Sequence, residues 1–157
     1  MDNLIIRKAV REDAEEISGI IKTAMEFYIK NSNIPGTLKS LTESIADIEK
    51  YICEDEFIVS IFHNTLSGTV RISELNKDSY QISRFSVLPA MHKLGVGSLL
   101  FASAEDYLRK VNAHECILFT ALTNMQMVKF YTARGYELVE TKYERGYPRG
   151  KFYKKYN

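Results

Sequence analysis

The sequence contains no tryptophan, only three prolines and only two cysteines among its 157 residues. Cys53 and Cys116 lie in apolar surroundings, so we expect reduced, buried thiols. The three histidines, His63, His92 and His114, lack any spacing typical of metal ligands, and no metal site is expected. The chain is therefore expected to depend on a hydrophobic core for its stability.

A large excess of either charge and any long apolar run are also missing. Lysine and arginine number 21 against 20 aspartate and glutamate residues, a net charge of +1. This balance gives no electrostatic sign of nucleic acid or a membrane surface as a partner. Residues 1–10 mix Asp2, Arg7 and Lys8 with a short apolar run and do not resemble a signal peptide. We therefore expect a cytoplasmic protein with one domain, 1–157.

Apolar periodicity and turn signals divide the chain into alternating strands and helices. The segment 116–122 is nearly continuously apolar, as expected of a central strand covered on both faces. It follows a strand and a helix, so parallel pairing with the strand 80–87 is expected. A helix capped at Ser40, with Glu43 three residues later, is predicted near the first third of the chain. We predict a single α/β (α+β) domain with a mixed central sheet of about six or seven strands and about four flanking helices.

The strand 80–87 contains a change of phase. Tyr80 and Ile82 alternate with polar residues, and Phe85 and Val87 do so again one position out of step. Such a slip indicates a β-bulge at residues 83–84 or burial of both faces, and a bulge commonly separates a strand from its neighbour. We therefore expect splayed central strands with a cleft between them.

A glycine-containing loop follows this strand and leads into a helix at Gly95, Val96 and Gly97. The first backbone N–H groups of a helix have no intrahelical partner and point outward at the positive end of its dipole. A strand, a glycine loop and a helix N-terminus in this order can therefore bind an anion. An ordinary tight turn before a helix is the alternative, because a bare Gly-x-Gly is common.

Residues 87–97, VLPAMHKLGVG, resemble motif A of the GNAT superfamily of acyl-CoA-dependent N-acetyltransferases, with V-x-P and G-x-G/A in matching order and spacing. His92 stands where the family usually has Gln or Arg, and Lys93 where a further Gly is common. Either side chain can still add a donor or positive charge beside a phosphate. The resemblance implies acetyl-CoA as co-substrate, with its pyrophosphate on the loop formed by His92, Lys93, Leu94, Gly95, Val96, Gly97 and Ser98.

A second stretch agrees with the first. Asn124 followed by residues 130–136, FYTARGY, is similar to the family's N-x5-F-Y-x3-G-F/Y pattern. Alone, Phe130 and Tyr131 would be read as helix packing; beside motif A, the resemblance implies that Tyr131 contacts the cofactor. Two roles remain open for Asn124, which either caps its helix or makes a polar contact with the CoA arm.

The implied chemistry is aminolysis of a thioester. A neutral amine attacks the acetyl carbonyl and expels a thiolate, so the site needs donors to the carbonyl oxygen and to the sulfur. Backbone N–H groups of Phe85, Ser86 and Val87, freed by the bulge, are candidates for holding pantetheine and the carbonyl oxygen. Tyr131 is the candidate general acid, because its ordinary pKa of about 10 lies above the ~8.5 of a thiol. Neither cysteine has a nearby cue for activation, so direct transfer in a ternary complex is favoured.

The general base stays open. Glu74 shares a strand face with Val70 and Ile72 and could turn toward the cleft, although a residue at a strand end also commonly reaches solvent. A chain of water molecules is the alternative proton acceptor.

The resemblance implies that the acceptor amine lies against the loop 28–36 and the segment 143–152, where related folds build their acceptor walls, with Tyr28 and Tyr147 as substrate-binding candidates. A small polyamine, an amino acid, a drug and a protein N-terminus all remain open as acceptors. A non-catalytic CoA-binding or regulatory protein of the same fold is the alternative function. We also expect a homodimer formed through the aromatic-rich segment 151–156.

Overall fold

A computed structural model describes residues 3–35 and 41–157, which form one seven-stranded sheet with four α-helices. Short 3-10 turns at Arg11–Asp13 and Pro89–Leu94 precede the first and third helices. The strands are β1 (Leu4–Lys8), β2 (Glu56–Phe62), β3 (Thr65–Asn76), β4 (Ser79–Val87), β5 (Glu115–Ala121), β6 (Glu137–Lys142) and β7 (Arg149–Lys155). The helices are α1 (Ala14–Ser32), α2 (Ile45–Glu54), α3 (Val96–Lys110) and α4 (Met125–Thr132).

The sheet has the order β1-β2-β3-β4-β5-β7-β6. Within the described residues, β4 and β5 are the one parallel pair, and every other pair of neighbours is antiparallel. The parallel pair is connected through α3, as a βαβ crossover requires. The predicted mixed α/β domain is therefore confirmed.

The two central strands pair over a short length and then separate. Their register begins with Ser79 opposite Glu115 and ends with Gln81 opposite Ile117. The rest of β4, residues 82–87, has no register partner in β5. The predicted splay of the central strands is thus present, and it leaves an opening in the middle of the sheet.

A bulge in β4 accompanies this separation. Thr69 of β3 lies opposite Ser86, whereas Arg71 lies opposite Ser83, so β4 carries one residue more than its partner across this interval. Arg84 lies inside the bulge with φ 51°, in the left-handed region that few side-chain-bearing residues adopt. The change of phase in the sequence therefore marks the bulge.

Helices on both faces of the sheet build two hydrophobic clusters. One packs α3 and α4 against the central strands, with Phe101, Tyr136 and Phe152 fully buried. The other packs α1 and α2 around Ile17 and Phe57. Burial of each such side chain contributes about 2 kcal/mol, so the two clusters fix the strands on either side of the opening. Among the helices of residues 3–35 and 41–157, none is long and apolar enough to cross a membrane.

The start of α2 differs from the prediction. Ser40 lies outside the described residues, and the helix begins at Ile45 with Ser44 as its N-cap. The Asp47 N–H donates to Ser44 Oγ at 3.1 Å, while the Asp47 carboxylate accepts from the Ser44 N–H at 2.9 Å. Glu43 precedes this capping box and does not take part in it. Its carboxylate instead binds Arg84 of β4.

One smaller expectation, the burial of both cysteines, is corrected. Cys116 is buried, but Cys53 is exposed on α2. The segment 151–156 lies largely in β7, which pairs with β5 on one side and β6 on the other, so it has no free edge for a second copy. The outer strand at this end of the sheet is β6, where Leu138 and Val139 are 48% and 54% exposed. A homodimer stays a prediction.

Candidate active site

A cleft with a volume of about 580 Å³ opens where β4 and β5 separate. Ligand sites typically enclose about 300–1,000 Å³. Residues 81–87 of β4 and 118–121 of β5 line the cleft, together with side chains from α1, β3, α4 and the loop before β7. The separation of the strands thus creates a ligand-sized cavity at the centre of the sheet.

The N-terminus of α3 borders this cleft through Gly97. Gly95 precedes the helix with φ 77°, a conformation that glycine adopts without a Cβ penalty. Helix geometry leaves the N–H groups of Val96, Gly97 and Ser98 without intrahelical acceptors at the positive end of the dipole. This rim of the cleft is therefore suited to an anionic group.

The wall beside α3 is closely fitted. A Cβ atom at Gly97 would lie 3.6 Å from Phe85 Cζ and 3.7 Å from a Val87 methyl carbon, which is ordinary contact. Any longer side chain at position 97 would have to extend away from these two residues. The absence of a side chain here thus keeps the helix N-terminus accessible from the cleft.

Ser86 supplies an unused polar group on β4. Its side chain is 3% exposed and lines the cleft. Across residues 3–35 and 41–157, Ser86 Oγ is the one buried side-chain nitrogen or oxygen without a hydrogen-bond partner. Leaving such a group unpaired costs about 1–3 kcal/mol. A polar atom of a ligand in the cleft would remove that cost, so Ser86 fits the predicted binding of a pantetheine chain.

Tyr131 projects from α4 into the same cavity and is only 5% exposed. Rings of Phe85, Phe101, Phe130 and Phe152 surround it, with centroid separations between 5.6 and 6.5 Å. Burial raises the pKa of Tyr131 well above its ordinary value near 10. The phenol therefore keeps its proton at neutral pH and can donate a hydrogen bond to a bound ligand.

His92 fixes the loop between β4 and α3. Its Nε2 lies 2.9 Å from the Val87 carbonyl oxygen and donates to it in the tautomer that is protonated at Nε2. The ring also packs edge-on against Phe27, with centroids 5.2 Å apart. Lys93 and Leu94 are exposed and lie outside the cleft lining. Contact of these three residues with a phosphate stays a prediction, whereas the loop-holding role of His92 is observed.

Asn124 caps α4, which is one of the two roles left open by the sequence. Its Oδ1 accepts from the Met127 N–H at 3.1 Å, and its Nδ2 donates to Ser32 Oγ at 3.0 Å. Asn124 also lines the cleft. A polar contact with the CoA arm stays a prediction.

Tyr28 and Tyr147 form part of another wall of the cleft. Tyr28 Oη accepts from the Ala121 N–H at 2.6 Å and forms a hydrogen bond of 3.0 Å with Thr120 Oγ1, in which either hydroxyl can be the donor. Burial raises the pKa of Tyr28. Tyr147 packs beside Ala121 and Ile34. Tyr28 thereby ties α1 to the end of β5, and direct contact of either tyrosine with an acceptor stays a prediction.

Glu74 does not line the cleft. The side chains of β3 that do so are Arg71, Ser73 and Leu75, which alternate with it. Successive side chains of a strand point to opposite faces, so Glu74 points away from the cavity. It is exposed, and it lies near Tyr80, whose pKa is raised by burial and by this carboxylate. This placement argues against Glu74 as the base.

Arg134 lies beside the N-terminus of α3, outside the cleft lining, and sequence reasoning missed it. Its Nη2 donates to Ser98 Oγ at 3.0 Å, in the first turn of α3, and its guanidinium stacks on Phe130 at 3.5 Å from the ring centroid. A cation at a helix N-terminus is unfavourable unless an anion accompanies it. The position of Arg134 inside the FYTARGY stretch was the available signal.

Arg84 is held in the bulge by Glu43. Two nitrogens of its guanidinium lie 2.6 and 2.9 Å from the Glu43 carboxylate oxygens, and Tyr51 donates a further hydrogen bond to that carboxylate. Glu43 is 7% exposed. Burial alone would raise the pKa of Glu43, but the hydrogen bonds from Arg84 and Tyr51 outweigh it and lower the pKa. The ion pair thus fastens the segment before α2 to the strained residue of β4.

Glu43→Gln is expected to lower the free energy of unfolding by about 3 kcal/mol, because removing one partner leaves a largely buried guanidinium uncompensated. A lowered folded-state pKa means that the carboxylate stabilises the fold above its ordinary pKa of 4.5 and loses this effect as the pH falls through the lowered value. Urea unfolding at pH 7 and near pH 3 measures both effects. Equal losses at the two pH values, or no loss at pH 7, would contradict the assigned role.

Neither cysteine is placed for covalent catalysis. Cys116 is completely buried, and burial raises the pKa of its thiol to about 12, so it is not a thiolate at neutral pH. Cys53 lies outside the cleft lining.

In the part of the chain that the structure describes, no three His, Cys, Asp or Glu side chains are grouped to hold a metal ion.

Solved structures share this architecture. The chain resembles the PaiA N-acetyltransferase from Thermoplasma acidophilum in complex with coenzyme A, with 20% identity and a TM-score of 0.85 over 98% of this chain and 99% of that one. The yncA protein from Salmonella typhimurium with its cofactor acetyl-CoA is 15% identical, with a TM-score of 0.78 over 99% of this chain and 95% of that one. A chimera of the Vibrio cholerae spermidine N-acetyltransferase SpeG and hSSAT is 19% identical, with a TM-score of 0.75 over 98% of this chain and 95% of that one.

Identities this low establish a common fold alone, and no curated protein matches the sequence. The family itself is shown by a sequence model. The model of the Acetyltransferase (GNAT) family matches residues 20–136, which include β4, the glycine loop and α4. The chain belongs to the GNAT family of acetyltransferases.

Proposed function

We propose that the protein is an acetyl-CoA-dependent N-acetyltransferase that transfers the acetyl group directly to an amine. The observation that carries this proposal is the cleft between β4 and β5, on which the α3 N-terminus, Ser86 and Tyr131 converge. The CoA and acetyl-CoA bound in the PaiA and yncA structures support the choice of cofactor.

The residues present fit this cofactor. The N–H groups at the start of α3, with Arg134 beside them, are suited to the pyrophosphate. Residues 82–87 of β4 have no register partner in β5, so their backbone groups on that side and Ser86 Oγ can bind the amides of pantetheine. Bound acetyl-CoA supplies an electrophilic thioester carbonyl and a sulfur that can leave as thiolate. The chain itself would bind and orient that group.

Tyr131 is the proposed hydrogen-bond donor to the departing sulfur. Its raised pKa keeps the proton on the phenol until negative charge develops beside it. A thiolate is also destabilised beside the apolar rings around Tyr131, so the proton can pass to it as the bond to carbon breaks. The surrounding aromatic rings hold the phenol in place for this step.

Water in the cleft is the proposed acceptor of the amine proton. An alkylamine with a pKa near 10.4 is neutral in only about one molecule in two thousand at pH 7, so the proton must leave before attack. Ser73, Gln81 and Ser83 line the cavity and can hold such water, while Glu74 lies on the opposite face of β3.

The acceptor is an amine of a small molecule or a protein. A cytoplasmic location is part of the same proposal, because both cysteines are free thiols and disulfides belong to oxidising compartments.

Thermal unfolding with excess acetyl-CoA, CoA, ATP or NAD tests the cofactor. At about 100 times the dissociation constant, a ligand adds ~2.7 kcal/mol of stability, a rise of several degrees for a domain of this size. We expect acetyl-CoA and CoA to raise the melting temperature and ATP and NAD to leave it unchanged. No rise with either CoA form would overturn the proposal. A rise without thiol release for any amine would instead indicate a CoA-binding regulator.

A further inference from the structure

The lining of the cleft is strongly cationic. It includes four arginines, Arg71, Arg84, Arg145 and Arg149, and none of its described residues is aspartate or glutamate. The whole chain has a net charge of only +1, so this excess is local. A cavity with such a lining favours an anionic ligand.

Two of these arginines are neutralised from outside the cavity. Arg71 Nη2 lies 2.7 Å from an Asp55 carboxylate oxygen and its guanidinium stacks on Tyr51, while Arg84 is bound by Glu43. Neither Asp55 nor Glu43 is part of the cleft lining. Arg71 and Arg84 therefore brace the wall and have little charge left to offer a ligand.

Arg145 and Arg149 have no ion pair with any residue in 3–35 or 41–157. Arg149 is partly buried, and its guanidinium lies 4.1 Å from the centroid of the Phe119 ring. Burial lowers the pKa of Arg149, and the neighbouring Arg145 lowers it further. The nearby Glu144 raises it, but this carboxylate is exposed and forms no ion pair with Arg149. The exposed Arg145 thus repels the partly buried Arg149, and no described carboxylate forms an ion pair with either of them.

The phosphates of the cofactor do not account for this anion. The pyrophosphate is assigned to the start of α3, where Arg134 already supplies a cation. Arg149 belongs to β7 and lies opposite Ala121, the residue whose N–H donates to Tyr28. The unpaired arginines thus lie with Tyr28 and Tyr147 at the wall expected for the acceptor.

We infer that the acceptor is an amine that also carries a carboxylate, which Arg149 and Arg145 bind at this wall. The inference rests on the proposed acetyltransferase function and names the class of its second substrate. A guanidinium binds both oxygens of a carboxylate in its plane, and the contact with the Phe119 ring uses none of its N–H donors as hydrogen bonds. A polyamine, which carries only positive charge, would meet repulsion from the same residues. The spermidine in the name of the Vibrio protein is therefore not expected to be a good acceptor here.

Matched pairs of amines test this inference. Each pair contains an amino acid and the amine left when its carboxylate is replaced by hydrogen: lysine and 1,5-diaminopentane, leucine and 3-methylbutylamine, phenylalanine and 2-phenylethylamine. Thiol release gives kcat/KM for each. We expect the carboxylate member to be preferred about tenfold or more in at least one pair, the scale of a charge-assisted hydrogen bond.

The variant Arg145→Gln/Arg149→Gln separates recognition of the carboxylate from differences in amine basicity. Basicity affects the wild type and the variant equally, so it cancels when their preferences in kcat/KM are compared for the same pair of amines. We expect it to abolish the preference and leave the acetyl-CoA dissociation constant within about twofold. Arg109→Gln, on the exposed face of α3, is the control with unchanged preference. Arg149→Lys keeps the charge but loses the planar fork and should be intermediate.

The outcomes are distinct from failure of the proposed function, which would appear as no stabilisation by acetyl-CoA, or as stabilisation without thiol release for any amine. Preference for the diamine, or a carboxylate preference that survives in the double variant, would overturn the inference. So would a double variant that binds acetyl-CoA much more weakly, because the arginines would then serve the cofactor. Thiol release with some other amine, but with no member of any pair, would also count against it.

Discussion

Replacing Tyr131 with phenylalanine is expected to lower kcat by about 10²- to 10⁴-fold, the range typical of a lost proton donor. The dissociation constant of acetyl-CoA should change little, because the ring and its contacts with Phe101 and Phe130 remain. Single-turnover thiol release and equilibrium binding measure the two quantities separately. This split between chemistry and binding would identify Tyr131 as a group that acts in the transition state.

The pH dependence adds an independent check. Since burial raises the pKa of Tyr131, the phenol stays protonated below its ordinary pKa, and the wild-type rate should not fall through loss of this proton below about pH 10. Tyr143→Phe is the matched control, because that tyrosine is 70% exposed and lies outside the cleft lining. An unaltered rate in Tyr131→Phe across the pH range would remove the residue from the mechanism.

The second large effect is expected from Gly97→Glu, which should weaken acetyl-CoA binding by about 100-fold or more. Position 97 lies in the first turn of α3, so a carboxylate there would both fill the rim of the cleft and repel the pyrophosphate. Calorimetric titration measures the loss, and the unfolding temperature without ligand shows whether the fold is intact.

Two variants control for trivial causes. Gly97→Ala places a Cβ atom at ordinary contact distance from Phe85 and Val87, so it should fold and bind with at most a modest loss. Gly19→Glu introduces the same charge on the exposed surface of α1, where a Cβ atom meets nothing within 4 Å. Normal binding by Gly97→Glu would show that the phosphate site has been assigned to the wrong residues.

The architecture was largely predictable because its signals are local. The nearly continuous apolar segment 116–122 indicated the buried central strand β5, and the phase change before Phe85 indicated the bulge and the splay. Each depends on residues adjacent in sequence and on the strict two-residue period of a strand. The start of α2 was less predictable, because Ser44 and Asp47 form a capping box as good as the one suggested four residues earlier.

The acceptor wall could not be read from the sequence in the same way. Arg71 and Ser73 look like solvent-facing residues of an alternating strand, and only the separation of β4 from β5 turns their face into a cavity. Arg149 is brought beside Phe119 by antiparallel pairing between strands about thirty residues apart. Glu74 was considered as a residue that turns toward the cleft, but it lies on the other face of β3. Successive side chains of a strand point to opposite faces, so a shift of one residue decides which face a carboxylate occupies.

The short register between β4 and β5 also affects how the fold holds together. Three residue pairs join β1–β4 to β5, β7 and β6, so backbone pairing divides the sheet into two panels with one narrow seam, while the hydrophobic cluster under α3 packs across both. A ligand that binds backbone groups of β4 and side chains of α4 would extend this seam beyond its last strand pair. Occupation of the cleft would then strengthen the coupling between the two panels, and the empty protein would unfold less cooperatively than the ligand-bound state.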